Sequence, residues 1–341
     1  MADRPSSPEP APAEAGGQLR ERAGESARRA RAALLNYIGV LTVLGGLILF
    51  FALRQSQFAT YDNFINILET NAVLLIVSVG LTFTLLVGGF DLSVGGVLAL
   101  SGVLLYELLH AGVPAIPAIL VLVVAGVIFG GTVTGIPISA LNVSFFVVTL
   151  GVMVAARGFA FVITQGETKG LYQEKLLRSV ATGTVGKIPY DVIIALALLV
   201  IAIVVTRYTG YGRMIYAVGG NSEAARMAGI NVTLIRLSTY SISAGLAALA
   251  GCIEVSRLAA AAPDVDQGIE FSAAAAVLLG GTSFVGGIGT MLGTFLGVLF
   301  LGVLQNGLII ESISVYWQGV ITGAVLFASV MIDRFRRGRM A

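Results

Sequence analysis

Apolar stretches long enough to cross a lipid bilayer recur along most of the chain, separated by short polar or glycine-rich breaks. Each is close to the roughly 20 residues that an α-helix needs to span the hydrocarbon core. We predict an all-α membrane protein with about ten transmembrane helices, over residues 34–53, 67–87, 94–110, 115–135, 145–165, 189–206, 234–256, 270–286, 290–310 and 314–332. The breaks at residues 88–96 and 280–289 are either loops or interruptions of a helix at membrane depth.

The charged residues indicate how the chain is oriented. Fourteen Lys and Arg residues fall near the termini or between residues 207 and 236, and six fall in breaks on the opposite side. The positive-inside rule then places both termini in the cytoplasm, although the loop of residues 166–188 carries four of the six. We interpret residues 1–33 as a disordered, basic cytoplasmic tail without a secretory signal. Residues 34–333 form the transmembrane domain, and residues 334–341 form a basic C-terminal tail.

Composition supports the bilayer as the solvent of this chain. Hydrophobic residues make up 56% of it and charged residues 12%, and the mean hydropathy is +0.91. A soluble domain has about 25% charged residues. One cysteine and one histidine exclude a disulfide framework and a His/Cys metal site, and nothing indicates nucleic-acid binding or a bound cofactor. Cys252 is expected to be a small packing residue.

Two Gly-Gly pairs flank a short insert at residues 88–96 and again at residues 280–287. In the first, Ser93 is placed to cap a new helix, with Asp91 beside the positive helix end. One interpretation is a capped helix start in a tight turn. The other is a broken helix that lines a pathway, because an ionisable residue at membrane depth is costly without a role. The recurrence suggests an internal duplication, as in many transporters.

Polar side chains also occur inside the apolar stretches. Candidates for lining or gating a translocation path are Asn71, Asp91, Ser93, Thr149 and Asn306; Thr82, Thr84 and Glu254 are further polar residues. Most should form helix–helix hydrogen bonds worth about 1 kcal/mol each, and a few should face a hydrated channel. The near absence of buried charge argues against a carrier coupled to protons or ions.

The polar segment of about residues 208–233 predicts a short amphipathic helix of about two turns. Asn221 or Ser222 is placed as its cap, Glu223 in its first turn and Gly229 as its stop. Such a helix suits docking into the groove of a partner protein, and the alternative is a simple connecting turn.

The chain shows no motif that would supply energy or catalysis. Residues 183–188 have the wrong spacing for a P-loop and lack the hydroxyl after Lys187. No nucleophile–base pair is evident, and His110 is interpreted as a boundary residue. We predict no catalytic and no metal site, so any transport energy comes from another chain or from an ion gradient.

Six ordered motifs point to a family: GFDLSVG (89–95), GRMIYAVGGN (212–221), AGINV (228–232), GCIEVSRL (251–258), VLLGGTS (277–283) and QNGL (305–308). Over residues 34–333 the chain resembles the permease subunits of bacterial ABC importers of the ribose/xylose/galactoside group. Phe90 departs from the smaller residue usual there, and the N-terminal tail is longer than usual.

The resemblance implies the type II importer fold shared with vitamin B12 importers, in the bacterial cytoplasmic (inner) membrane with its lipid. It implies a homodimer, a cytoplasmic ABC ATPase subunit that binds ATP and Mg²⁺, and an extracytoplasmic sugar-binding protein. The permease itself is then not an enzyme. The family's coupling region would comprise Gly219, Gly220, Asn221, Ser222, Glu223, Ala224, Ala225, Arg226, Gly229 and Ile230.

Four alternatives to a monosaccharide permease stay open at this point. They are an ion-coupled secondary carrier, an ABC permease for a non-sugar solute, a membrane scaffold or receptor that does not transport, and an intramembrane enzyme. The sugar itself is not specified by the sequence, since selectivity is expected to lie in the binding protein.

Overall fold

The described part of the chain is mainly helical. The structure, a computed structural model, describes residues 38–171, 183–314 and 316–338, with side chains to residue 331. Its helices are α1 (Ile38–Arg54), α2 (Tyr61–Thr70), α3 (Ala72–Leu86), α4 (Val94–His110), α5 (Ala115–Phe129), α6 (Ile136–Ser139), α7 (Phe145–Thr164), α8 (Tyr190–Tyr208), α9 (Gly210–Gly220), α10 (Ser222–Met227), α11 (Val232–Leu258), α12 (Ile269–Leu279), α13 (Met291–Ile310) and α14 (Tyr316–Gly338). The predicted tail of residues 1–33 lies outside the described residues.

Not every apolar helix is long enough to cross a membrane. Five candidate spans meet the requirement in length and composition: Ala115–Ser139, in which a π-helical turn (Gly130–Gly135) joins α5 to α6, and α7, α8, α11 and α13. Helices α2 and α3 make a sixth span if their 50° bend is counted within one span. The remaining apolar helices among the described residues have 10–17 residues in their apolar part. Five or six spans are therefore evident by this criterion, against about ten predicted.

Helix α11 is the centre of the packing and contacts α3, α4 and α5. All 15 residues of α3 are buried, as expected for a helix that is apolar on every side. At Gly251 of α11, a Cβ atom would collide with the carbonyl oxygen of Leu98 in α4. Small residues thus bring these backbones close together, which is how membrane helices gain packing energy. Cys252 is fully buried beside this contact, as predicted.

Helices α8 and α11 run between two opposite ends of the molecule. Four short strands lie at one end, which we call the strand end. β1 (Lys169–Gly170) pairs antiparallel with β4 (Ala260–Ala261), and β2 (Thr184–Val185) pairs with β3 (Ile188–Pro189). Helix α11 ends just before β4, and α8 starts just after β3. Residues 172–182 of the predicted outer loop are outside the described residues.

The other end, which we call the Asn221 end, contains α9, α10 and the start of α11. The 27 residues of α11 extend over about 40 Å. This length is enough to reach from one membrane surface to the other.

The prediction of a helix over residues 270–286 is wrong in its second half. Helix α12 ends at Leu279, and the loop that follows has positive φ angles at Gly281 (+89°) and Gly286 (+99°). A right-handed helix requires negative φ, and glycine adopts positive φ without a steric penalty. The glycine-flanked break at residues 280–289, which the sequence left open as a loop or an interrupted helix, is therefore a loop.

The role predicted for Ser93 as a side-chain cap is also wrong. Ser93 occupies the N-cap position of α4, but its side chain accepts no capping hydrogen bond. Its hydroxyl instead donates to Oδ1 of Asp91, and the Ser93 backbone N–H donates to the same oxygen at 3.0 Å. Asp91 therefore organises this turn, and Ser93 supports it.

Candidate functional site

The short helix predicted at residues 221–229 is present as α10. Oδ1 of Asn221 accepts hydrogen bonds from the backbone N–H groups of Glu223 (3.0 Å) and Ala224 (2.9 Å). These bonds satisfy two of the N–H groups that every helix start leaves without an intrahelical partner. At the other end Gly229 has a φ of +83° and terminates the helix. The predicted cap and stop are both confirmed.

Helix α10 projects most of its surface away from the protein. Ala225 is its one buried residue, whereas Glu223, Ala224 and Arg226 are exposed. Met227 is 83% exposed, although it is large and apolar. The sequence-based site did not include Met227; an apolar side chain among polar ones on so short a helix is the signal that could have found it.

Gly219 fixes the base of this projecting segment to the core. A Cβ atom at Gly219 would collide with the carbonyl oxygen of Leu86 and lie 2.5 Å from the amide nitrogen of Gly287. The Gly287 N–H donates to the same Leu86 carbonyl at 2.9 Å. One residue further along, a Cβ atom at Gly220 would meet nothing within 4 Å. An added side chain would therefore be obstructed at Gly219 but not at Gly220.

The two glycine-flanked segments noted in the sequence meet at this place. A Cβ atom at Gly88 would lie 2.7 Å from the carbonyl oxygen of Val285, and the rings of Phe90 and Phe284 are 5.5 Å apart. We call the contact between residues 86–90, 219–220 and 284–289 the glycine junction. It connects the end of α3, the segment before α10, and the loop between α12 and α13. The junction shows that the two segments are neighbours; a duplication stays a hypothesis.

Asp91 and Ser93, both predicted to line or gate a path, lie next to the junction with no exposed surface. Oδ1 of Asp91 accepts the two bonds from Ser93, while its Oδ2 is buried and has no hydrogen-bond partner among the described residues. Tyr240 of α11 and the Thr84 carbonyl of α3 lie against the preceding Gly89. Both residues are thus inside the helix bundle in this conformation and do not line an open channel.

The other three path candidates are distributed over separate helices. The Asn71 side chain donates to the carbonyl oxygen of Ile67 at 2.8 Å, and the Thr149 hydroxyl donates to its own helix. Asn306 and Asn63 exchange two amide hydrogen bonds, both of 3.0 Å, which join α13 to α2. These partners satisfy the polar groups locally. The five candidates are not brought together into one site.

Thr82, Thr84 and Glu254 also have partners in the folded chain. The Thr82 and Thr294 hydroxyls lie 2.7 Å apart and join α3 to α13, whereas Thr84 bonds within its own helix. Glu254 accepts from Arg257 at 2.7 Å, one turn away on α11. Of the polar residues expected mostly to join helices, only Thr82 and Asn306 do so within the described chain, and Glu254 pairs within its own helix.

A cluster of ionisable side chains at the strand end was not predicted. Arg157 of α7 donates to the carbonyl oxygens of Gly95 (3.1 Å), Val265 (3.2 Å) and Pro263 (3.4 Å). Gly95 lies directly against the carboxylate of Glu270, which is 4% exposed. One arginine thus connects α4, α7 and the loop before α12. An arginine inside a predicted span is itself a functional signal.

The loop between α11 and α12 carries Asp266, which faces the same cluster. Burial raises the pKa of Asp266 to about 7, and repulsion from Glu254 adds to the increase, whereas Arg257 and Arg157 lower it. Elsewhere at the strand end Lys169 pairs with Glu167 at 2.7 Å and lowers the pKa of that exposed carboxyl.

Comparison with known proteins gives a consistent set of relatives. Residues 63–330 match the family described as the permease component of branched-chain amino acid transport systems. The ribose import permease RbsC of Haemophilus influenzae is 37% identical over 292 residues, which cover 85% of this chain and 90% of that protein. RbsC of Bacillus subtilis is 36% identical over 307 residues (88% and 95%). The D-allose permease AlsC of Escherichia coli is 35% identical over 289 residues (84% and 87%). No solved structure matches the chain.

Proposed function

Since the chain belongs to the family of branched-chain amino acid transport system permease components, we propose that it is the transmembrane subunit of an ATP-driven importer whose solute is a monosaccharide. The family consists of transporter components, not enzymes. The relatives and the apolar helices make the chain a multi-pass protein of the inner membrane. The observation that carries the proposal is the 36–37% identity to two ribose permeases over 85% or more of the chain.

A sugar is favoured over a branched-chain amino acid, despite the family's description. The relatives compared above are named for ribose and for allose, and they match the chain over nearly their whole length. D-Ribose is therefore the first solute to test, and D-allose the second. An ABC permease for a non-sugar solute is the alternative, and L-leucine is its test solute.

The proposed assembly is a homodimer of this chain with cytoplasmic ATPase subunits and an extracytoplasmic sugar-binding protein. Both termini are in the cytoplasm, and about ten transmembrane helices adopt the type II importer fold. ATP and Mg²⁺ bind to the ATPase subunit. The exposed surface of α10 supports this arrangement because it offers a short helix for a partner's groove. The Asn221 end is then the cytoplasmic end.

ATP binding would act on the membrane part through the glycine junction. A movement of α10 is passed to Gly219, which has no free space against Leu86 and Gly287. The junction in turn keeps both breaks, at residues 88–96 and 280–289, next to the buried Asp91. Alternation between two conformations requires that each partner bind one of them more tightly. A close-packed contact of this kind transmits displacement because packed interiors have low compressibility.

Replacing Glu223 and Arg226 together by alanine tests the coupling role of α10. Both side chains are exposed, and alanine favours a helix, so the permease should fold normally. Uptake of D-ribose by vesicles that contain the whole complex should fall at least about tenfold, which corresponds to contacts worth about 1.4 kcal/mol. ATP hydrolysis should continue without transport.

The matched control is the double alanine variant of Asp62 and Lys187. This exposed ion pair, 3.4 Å apart, lies at the strand end, away from α10. Its loss should leave both uptake and hydrolysis unchanged. Normal assembly and uptake in the Glu223/Arg226 variant would remove the support for α10 as the coupling element.

A further inference from the structure

A polar cavity of about 470 Å³ lies between α12, α13 and α14. Its size falls within the roughly 300–1,000 Å³ that is typical of sites for small molecules. The polar part of its lining comprises Gln267, Ser272, Gln305, Gln318 and Thr322, and Phe271 supplies an aromatic ring. Three amides from three different segments of the chain therefore converge on one space.

The cavity lies at the end of these helices that is remote from the glycine junction. Helix α12 starts at the cavity, after Gly268, and ends at the loop of the junction. Gln305 is near the last turn of α13, and Gln318 is near the first turn of α14. With the Asn221 end in the cytoplasm, the cavity is in the outer half of the protein, where a solute arriving from outside would enter.

The chemistry of the lining is neutral and suited to hydrogen bonding. No residue of this lining carries a charge. Nε2 of Gln318 is buried and finds no hydrogen-bond partner within the described chain, and an amide left without a partner at this depth is costly. Each glutamine can donate and accept at once, as can each sugar hydroxyl. A charged amino acid would find no counter-charge in this lining.

We propose that this cavity is a subsite for an uncharged, polyhydroxylated solute on its way through the permease, with Gln305 and Gln318 as the residues that bind its hydroxyls. The inference rests on the proposed function, since it assigns a place to the solute of that importer. It explains why amides cluster between three otherwise apolar helices. It also distinguishes the cavity from Asp91 and Ser93, which have no exposed surface and do not line it.

The cavity can be filled experimentally by substituting one of two glycines of α14. A Cβ atom at Gly319 or Gly323 would meet nothing within 4 Å, although both residues line the cavity. Gly323→Leu therefore introduces a bulky side chain into the cavity without a backbone collision. Gly45→Leu is the matched control, because Gly45 of α1 is also exposed and equally open but is not part of the cavity lining.

The experiment measures uptake of radiolabelled D-ribose and of D-allose by vesicles that contain the complete complex. Gly323→Leu should lower the maximal rate at least about tenfold, and Gly45→Leu should leave it unchanged. Gln318→Leu should also lower the maximal rate about tenfold, since one hydrogen bond to the solute is lost. Gln57→Leu removes an exposed amide outside the cavity and should have no effect. Assembly of each complex, measured by size-exclusion chromatography, excludes a folding defect.

The possible results distinguish a failure of the proposed subsite from a failure of the proposed function. Uptake by Gly323→Leu and Gln318→Leu at the wild-type rate, in a complex whose wild type transports sugar, overturns the subsite and leaves the importer intact. If the wild-type complex takes up neither sugar, the proposed function fails and the subsite with it. An equal loss in Gly45→Leu or Gln57→Leu would also overturn the assignment, because the effect would not be specific to the cavity.

Discussion

Gly219→Ala is expected to abolish solute uptake, whereas Gly220→Ala should preserve it. The two glycines are adjacent at the end of α9, and both changes add one methyl group. At Gly219 that methyl would collide with the Leu86 carbonyl and crowd the Gly287 amide. Backbone atoms cannot move aside by changing a rotamer, so the junction itself has to open. Overpacking of this kind typically costs about 1–3 kcal/mol.

At Gly220 we expect the opposite effect, namely that the added methyl group preserves or raises the stability of the protein. The added methyl group has open space, and alanine is more favourable than glycine in a helix by about 0.5–1 kcal/mol. Thermal unfolding in detergent should therefore show a lower midpoint for Gly219→Ala and an equal or higher one for Gly220→Ala. Uptake should be lost in the first variant while its ATPase partner still binds. Equal uptake by both variants would show that the junction does not transmit the movement of α10.

Arg157→Met is expected to lower the stability of the protein strongly. The substitution leaves the carbonyl groups of Gly95, Pro263 and Val265 without their donor. It also leaves the nearby Glu270 carboxylate without a positive neighbour. Hydrogen bonds to a charged group contribute about 1.5–3 kcal/mol each, and a buried uncompensated charge adds to the cost. Because Arg157 is only half-buried, water can replace part of these bonds, and we expect a net loss of about 2–4 kcal/mol in the free energy of unfolding.

Arg54→Met is the control for the loss of an arginine as such. Arg54 pairs with Glu311 at 2.9 Å, but its side chain is 60% exposed. Exposed ion pairs contribute little because water and salt screen them. The unfolding midpoint of Arg54→Met should therefore stay close to that of the wild type. If both variants lose the same stability, Arg157 has no special role in joining α4, α7 and the loop before α12.

The sequence predicts features that depend on nearby residues. Asn221, Glu223 and Gly229 define α10 through capping and backbone rules that operate within ten residues, and the structure bears them out. The positions of most apolar helices follow equally from local hydropathy. Helix α4, predicted over residues 94–110, has those same bounds.

Features that depend on distant partners could not be obtained in this way. The pair of Asn63 and Asn306 joins residues separated by 243 positions. Arg157 bonds to carbonyl groups that are 62 to 108 positions away, and backbone acceptors leave no mark in the sequence. The glycine junction combines both cases: the glycines are visible in the sequence, but only the fold brings them into contact.

The most direct test of the account is the energy source of transport. Vesicles containing this chain, its ATPase subunit and ATP inside, with the binding protein outside, are given radiolabelled D-ribose. The account predicts uptake that requires ATP and the binding protein and that persists when an ionophore collapses the ion gradients. Uptake that proceeds without ATP and stops with the ionophore would contradict it and would identify the chain as an ion-coupled carrier.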